Sequence, residues 1–225
     1  MSKSNRISPF FISVLSAVGF TVAVCIFAFS CQGAKLKFKT CFYFVCYAME
    51  DNSISAGSIS SAVSAYGGAG YIIEHGGKYY ITVSCYYEEK DAENVCRELK
   101  DRNLSCSVLK IETEEYRLKT SYAKKHAELY RGNLNTLNSL ARLAYDCANA
   151  LDTGAYNQSN AKSVIADIKS GLKSLLSANE NNCFTVELKR LIAECDDAAG
   201  GIIYSKDLRK LQIATADTII NIELF

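Results

Sequence analysis

The chain is poor in the residues that most catalytic and nucleic-acid-binding chemistry draws on. It has two histidines, His75 and His126, far apart in a sequence of 225 residues, and a formal net charge of +1. The charge balance holds locally as well. Ala34 to Ile111 carries nine basic and nine acidic residues, and Glu112 to Phe225 carries fourteen and fifteen. Neither stretch has the positive surplus that a phosphate backbone attracts, which argues against nucleic acid as a partner. There is one proline. With 49% apolar residues, the composition is that of ordered structure.

The known catalytic signatures are also missing. No H-E-x-x-H, G-x-S-x-G or phosphate-loop G-x-x-x-x-G-K-[ST] occurs. Gly67-Gly68-Ala69-Gly70 leads into a strand pattern, so its N–H groups lack the helix start that a phosphate site uses. Glu88, Glu89 and Asp91 resemble a carboxylate pair but fit better as acidic residues at a helix start. No catalytic residues, no metal ligands and no cofactor are therefore expected.

Ten cysteines are present, none in a C-x-x-C pair. Zinc sites use tight Cys or Cys/His pairs, which the spacing does not supply. Several of the cysteines fall on apolar stripes, where a free thiol behaves as a small hydrophobe. Mostly free, buried thiols are the expectation, and a disulfide framework is the alternative.

Phe10 to Ser30 is an uncharged run of 21 residues. A bilayer core of ~30 Å needs about 20 helical residues. This predicts a short tail over 1–9, a transmembrane anchor over 10–31, and a single-pass cell-membrane protein with extracytoplasmic soluble parts. Lys3 and Arg6 on one side and Lys35, Lys37 and Lys39 on the other leave the orientation open. Lipoprotein processing at Cys31 and a cleaved signal peptide are the alternative readings.

From 34 to 111 the pattern reads strand, helix, strand, strand, helix, strand. Phe38 to Ala48 is aromatic and β-branched. Ser53 to Tyr66 is weakly helical, and Gly76-Gly77 is a hairpin turn between Gly70–His75 and Lys78–Tyr87. Glu88 to Arg102 places Ala92, Val95, Cys96 and Leu99 on one helical face. Ser105 to Ile111 is the last strand. Such a β-α-β-β-α-β unit packs both helices on one sheet face and leaves the other available.

This stretch resembles the SPOR domain, a bacterial peptidoglycan-binding module. The resemblance is clearest from Gly77 to Ile111, with Tyr79-Tyr80-Ile81-Thr82-Val83-Ser84-Cys85-Tyr86, then Asp91-Ala92-Glu93, Leu99 and Val108. It departs from the family at Val45-Cys46, where a Val-Gln pair is usual, and at Ser84, where a glycine is usual. The resemblance implies binding of peptidoglycan glycan strands at division or sporulation septa. Strand alternation would put Tyr79, Ile81 and Val83 toward the helices, with Phe42, Phe44 and Cys46. The free face would then hold Tyr43, Tyr47, Tyr80, Thr82, Ser84 and Tyr86 as candidate glycan-binding residues, because a tyrosine offers a flat ring and a hydroxyl together. One alternative is that these tyrosines cover the sheet or pack against the C-terminal helices; another is that the chain is a non-catalytic protein-interaction scaffold that no longer binds glycan.

Residues 112–225 carry no strand pattern. Stripes such as Val164, Ile165, Ile168, Leu172 and Leu175 predict four or five helices in an antiparallel bundle, with a break or kink at Gly132. That bundle is expected to be structural or to dock a protein partner. The whole reads as an α+β fold: a transmembrane helix, a SPOR-like α/β domain and a C-terminal α-helical bundle.

Overall fold

The computed structural model describes residues 34–179 and 182–224. Four strands are present: β1 (Lys35–Glu50), β2 (Tyr71–His75), β3 (Lys78–Tyr86) and β4 (Ser107–Arg117). Helix α1 (Ser53–Ala65) follows β1, and α2 (Glu89–Asp101) joins β3 to β4. The remaining helices are α3 (Ser121–Lys125), α4 (Ala127–Asp152), α5 (Gln158–Ala178), α6 (Phe184–Ala199) and α7 (Ser205–Asn221). The sheet is antiparallel throughout, in the order β2-β3-β1-β4.

Local chemistry explains these elements. Gly76 and Gly77 both have positive φ, 59° and 74°, the backbone of a two-residue hairpin turn that a Cβ would strain. Asn52 accepts from the Ser55 amide and starts α1. Glu89 and Asp91 lie in the first turn of α2, at the positive end of its dipole. An Asn157–Asn160 capping box starts α5.

Three elements differ from the sequence expectation. β1 begins at Lys35 and β4 runs on to Arg117, because Lys35-Leu36-Lys37 pairs with Glu115-Tyr116-Arg117. Leu36 and Tyr116 point inward, while Lys35 meets Glu115 and Lys39 meets Glu112 at the surface. The stretch after Glu112 is therefore strand first and helix later. Gly132 does not break α4, because the helix runs without interruption from Ala127 to Asp152.

The expected fold class and membrane placement are corrected at one point. The described residues form an α+β fold of seven helices and one four-stranded antiparallel sheet, and no helix among them is long and apolar enough to cross a membrane. The described helices are amphipathic: α5, for example, buries Ile165, Ile168 and Leu172 and exposes Lys162, Asp167 and Lys173. The 10–31 run, on which the expectation of a single-pass membrane protein rested, lies outside the described residues.

The second correction concerns the sheet. Helices α1 and α2 cover one face, and α4 and α7 pack against the other, so the face open in the glycan-binding reading is covered by the C-terminal helices, as the alternative had it. Phe42, Phe44, Cys46, Ile73 and Cys85 of the sheet and Leu134, Leu208, Leu211 and Ile219 of the bundle form one buried core.

Candidate functional site

The six tyrosine-face residues are divided between the two covered faces, and two strand irregularities are the cause. Register shifts between Val45 and Cys46, and between Cys46 and Ala48, leave Val83 and Tyr47 without a partner opposite. Below the first shift Tyr43 pairs with Tyr86 and Val45 with Ser84; above it Cys46 pairs with Thr82. Tyr43, Tyr47 and Tyr86 consequently pack with α1 or α2, as does Val45, whereas Phe42, Phe44 and Cys46 face the bundle. Ser84 shares the face of its partner Val45. Tyr80 packs toward the bundle, and Thr82 donates a 2.8 Å hydrogen bond to the Tyr71 carbonyl. Thr82, Ser84 and Tyr86 are buried; Tyr43, Tyr47 and Tyr80 are half-buried. The Tyr43 hydroxyl is pushed up to about 12, first by its hydrogen bond with Cys41 and then by burial.

Among the concavities of the described residues, two adjoin residues of the sheet and its helices that could form a site. The first is an apolar groove of about 460 Å³ between α1 and α2, with Tyr47 and Val83 from the sheet, Val63 and Tyr66 on one side, and Leu99 and Leu104 on the other. Gly68 also lines it, and a Cβ there would lie 2.6 Å from a Val63 methyl. Tyr66 is 93% exposed and Leu104 41%, so the groove has apolar lips as well as an apolar interior. Ile54 is exposed on the same helix as Val63.

The second is a polar cleft of about 360 Å³ where β2 meets α6 and α7. Tyr71 donates to an Asp217 carboxylate oxygen at 2.9 Å and accepts from Arg190 Nη1 at 3.1 Å. The same guanidinium reaches Glu187 through Nε at 2.9 Å and Thr218 Oγ1 through Nη2 at 2.9 Å. Burial raises the Asp217 carboxyl above its usual range, against the lowering effect of the Tyr71 bond and the Arg190 charge. With both its terminal nitrogens and Nε engaged by protein groups, Arg190 fastens sheet to bundle and has little left for a ligand.

Other ties run across the same interface. Tyr116 donates to the Ile219 carbonyl and Gln212 Nε2 to the Cys85 carbonyl at 3.1 Å, while Lys206 of α7 donates to the Ser64 carbonyl of α1 at 3.0 Å. The seam is less well satisfied beside Tyr87. That ring packs on Phe42 and Tyr145 under the Arg142 guanidinium. Its hydroxyl faces the Gln212 side chain, yet the Tyr87 hydroxyl and Gln212 Oε1 are buried without a well-formed hydrogen bond. Arg209 Nη1 is in the same condition.

The histidines are not brought together. His75 sits exposed at the hairpin, and His126 stacks on Tyr122 at 3.9 Å with Nδ1 2.8 Å from the Tyr122 carbonyl. Among the described residues no group of three His, Cys, Asp or Glu side chains is placed to hold a metal ion. The groove and the Tyr71–Arg190–Asp217 lock were not legible beforehand. Their residues lie in seven different elements, so no local pattern in the sequence gathers them.

No protein-family model and no curated protein matches the chain. Among solved structures, the solution structure of the peptidoglycan binding domain of the B. subtilis cell wall lytic enzyme CwlC is similar to it. That similarity covers 32% of this chain and 91% of that chain at 17% sequence identity, with a TM-score of 0.28. The likeness is weak.

Proposed function

We propose that the chain is a non-catalytic interaction module: a SPOR-like sheet whose open face is taken up by its own helical bundle, leaving the α1–α2 groove for a protein partner. The observation that carries this is the cover on the sheet. A glycan platform needs its ring faces and hydroxyls in solvent. Here Thr82, Ser84 and Tyr86 are buried, and α4 and α7 lie over Phe42 and Phe44. The groove offers what a protein side chain would enter, an apolar hollow with an aromatic lip.

A second reading is favoured by the Tyr87–Gln212–Arg209 seam. Buried polar atoms without partners are costly, roughly 1–3 kcal/mol each, and the Tyr87 hydroxyl and Gln212 Oε1 are two such atoms where the bundle meets the end of β3. Lifting the bundle would give them solvent or sugar hydroxyls and would uncover the sheet for the peptidoglycan glycan that the sequence resemblance implies.

Co-sedimentation of the full chain with purified sacculi, with and without amidase treatment to strip stem peptides, separates the two. The first reading predicts that the protein stays in the supernatant with both preparations. Pelleting that rises on stripping, and rises further in Arg190→Gln, where the seam is loosened, would replace it with the second.

A further inference from the structure

Helix α1 lies at the surface, yet none of its 13 residues, SISAGSISSAVSA, is charged. Ile54, Ser58, Ser61 and Ala65 recur at spacings of four, three and four, so they share one face of the helix, and all four are exposed. The hydroxyls of that face are turned back on their own helix. Ser58 Oγ donates to the Ile54 carbonyl at 3.4 Å, and Ser61 Oγ to the Gly57 carbonyl at 3.2 Å. The face is apolar at one end and small in the middle, and its donors are already used.

The other end of the face is hollow. The α1–α2 groove opens beside it at Ala62, Tyr66 and Leu104. A smaller hollow of about 220 Å³ adjoins it at Ala65, with Gly67, Tyr204 and Lys206 as further lining. Ile54 is 84% exposed and Tyr204 56%, and with the Tyr66 lip they make an open apolar surface of the kind that marks a protein contact.

We propose that this surface is the contact between two copies of the chain, α1 against α1 about a two-fold axis that passes between Ser58 and Ser61. The inference rests on the reading of the groove as a protein-docking site and names the partner. The stripe is its own complement. The axis sets Ser58 opposite Ser61, and Ile54 of each copy over Ala65 of the other, beside the Tyr66 lip. Ile54 and Ala65 are about 16 Å apart along the helix, so one operation seats both isoleucines.

Three features favour a second copy over an unrelated protein. An uncharged α1 meets its like without repulsion, and it offers nothing that selects a partner of opposite charge. A formal net charge of +1 opposes self-association little. Ser58, Ser61 and Ala65 are small enough for the two helix axes to approach to about 8 Å. The size of the face sets the strength of the contact. A helix about 20 Å long with a hollow on its flank covers on the order of 500 Å² per copy, less than the ~800 Å² of a standard stable interface. The dimer therefore dissociates at micromolar concentrations, where most copies keep the groove open.

Sedimentation equilibrium of the full chain from about 1 to about 300 µM, without sacculi, tests this. The weight-average mass should climb from the monomer towards twice that value. Ile54→Asp, at an exposed position, should keep the parent's circular dichroism and move the midpoint at least about tenfold higher. Ser61→Asp and Ser61→Lys should each stay monomeric alone and dimerise when mixed, because the axis brings position 61 of one copy close to position 61 of the other. A monomer at every concentration would overturn the proposal and leave the groove to a different protein. Undiminished dimer in Ile54→Asp and in both Ser61 variants would place the contact elsewhere and overturn it equally. Neither result touches the cover on the sheet, which the sacculi experiment tests, so the two readings fail separately.

Discussion

Asp217 shows how one side chain reports on the joint between sheet and bundle. Its carboxylate accepts from Tyr71 and lies near Arg190, yet burial outweighs both and raises its pKa above the ordinary 3.8. A carboxyl whose folded-state pKa is raised binds its proton more tightly in the folded than in the unfolded chain. It therefore favours folding below the unfolded value, and that advantage disappears as pH rises through the folded value. Unfolding Asp217→Asn and the parent in urea across pH 3 to 7 tests this. The parent should lose stability relative to the variant as pH rises over that window, and parallel curves would mean the carboxylate is not buried in the joint.

The individual cysteines were legible as a class more than as positions. None of the eight described cysteines is in a disulfide, and Cys46, Cys85, Cys96, Cys147 and Cys195 are buried as small hydrophobes would be.

Among the elements, those with a strong local period were readable. The Gly76-Gly77 hairpin and the Ala92–Cys96 face of α2 follow from turn chemistry and 3.6-residue spacing. The alternation within β1 was also correct in itself. Its phase against β3 was not, since the two register shifts between the strands change which residues share a face, and a strand's own sequence does not encode its partner's bulge. A usable signal was missed at 35–39. Lys35-Leu36-Lys37-Phe38-Lys39 alternates like a strand and is matched by the acidic Glu112 and Glu115 of β4, which Lys39 and Lys35 meet.

The α1–α2 groove belongs to this scale too, and it carries a prediction. Anilinonaphthalene sulfonate, which fluoresces on apolar surface, should bind the native chain with Tyr47, Val83 and Leu99 as its lining. Leu104→Asp, at an exposed lip, should cut that signal by about half or more while costing less than about 1 kcal/mol of stability. An unchanged signal would place the dye elsewhere and leave the groove unused.

At the scale of the whole molecule, sheet and bundle share a single apolar core. The helices of 112–225 were expected from their stripes, and some of those stripes close on the sheet instead of only on each other. The reason was out of reach of the sequence. Phe42, Phe44 and Cys46 form an apolar row that suits packing under α1 and α2 as well as under α4 and α7, and the shifted register decides between them. The same placement puts the polar ties of Tyr71, Gln212 and Tyr116 where they hold the bundle down.

The central claim is that this sheet face is closed in the native chain, and Cys85 and Cys46 test it most directly because both are fully buried on that side, while Cys41 on the same strand as Cys46 is partly open. Alkylation of the folded full chain, followed by peptide mapping against a urea-unfolded control, gives the answer. Cys41 should label readily. Cys46 and Cys85 should be protected by a factor of about 1,000 or more, the scale of global unfolding. Labelling of Cys85 within about tenfold of its unfolded rate, in a chain that is still folded, would mean that the bundle stands off the sheet and that the face is open to a ligand.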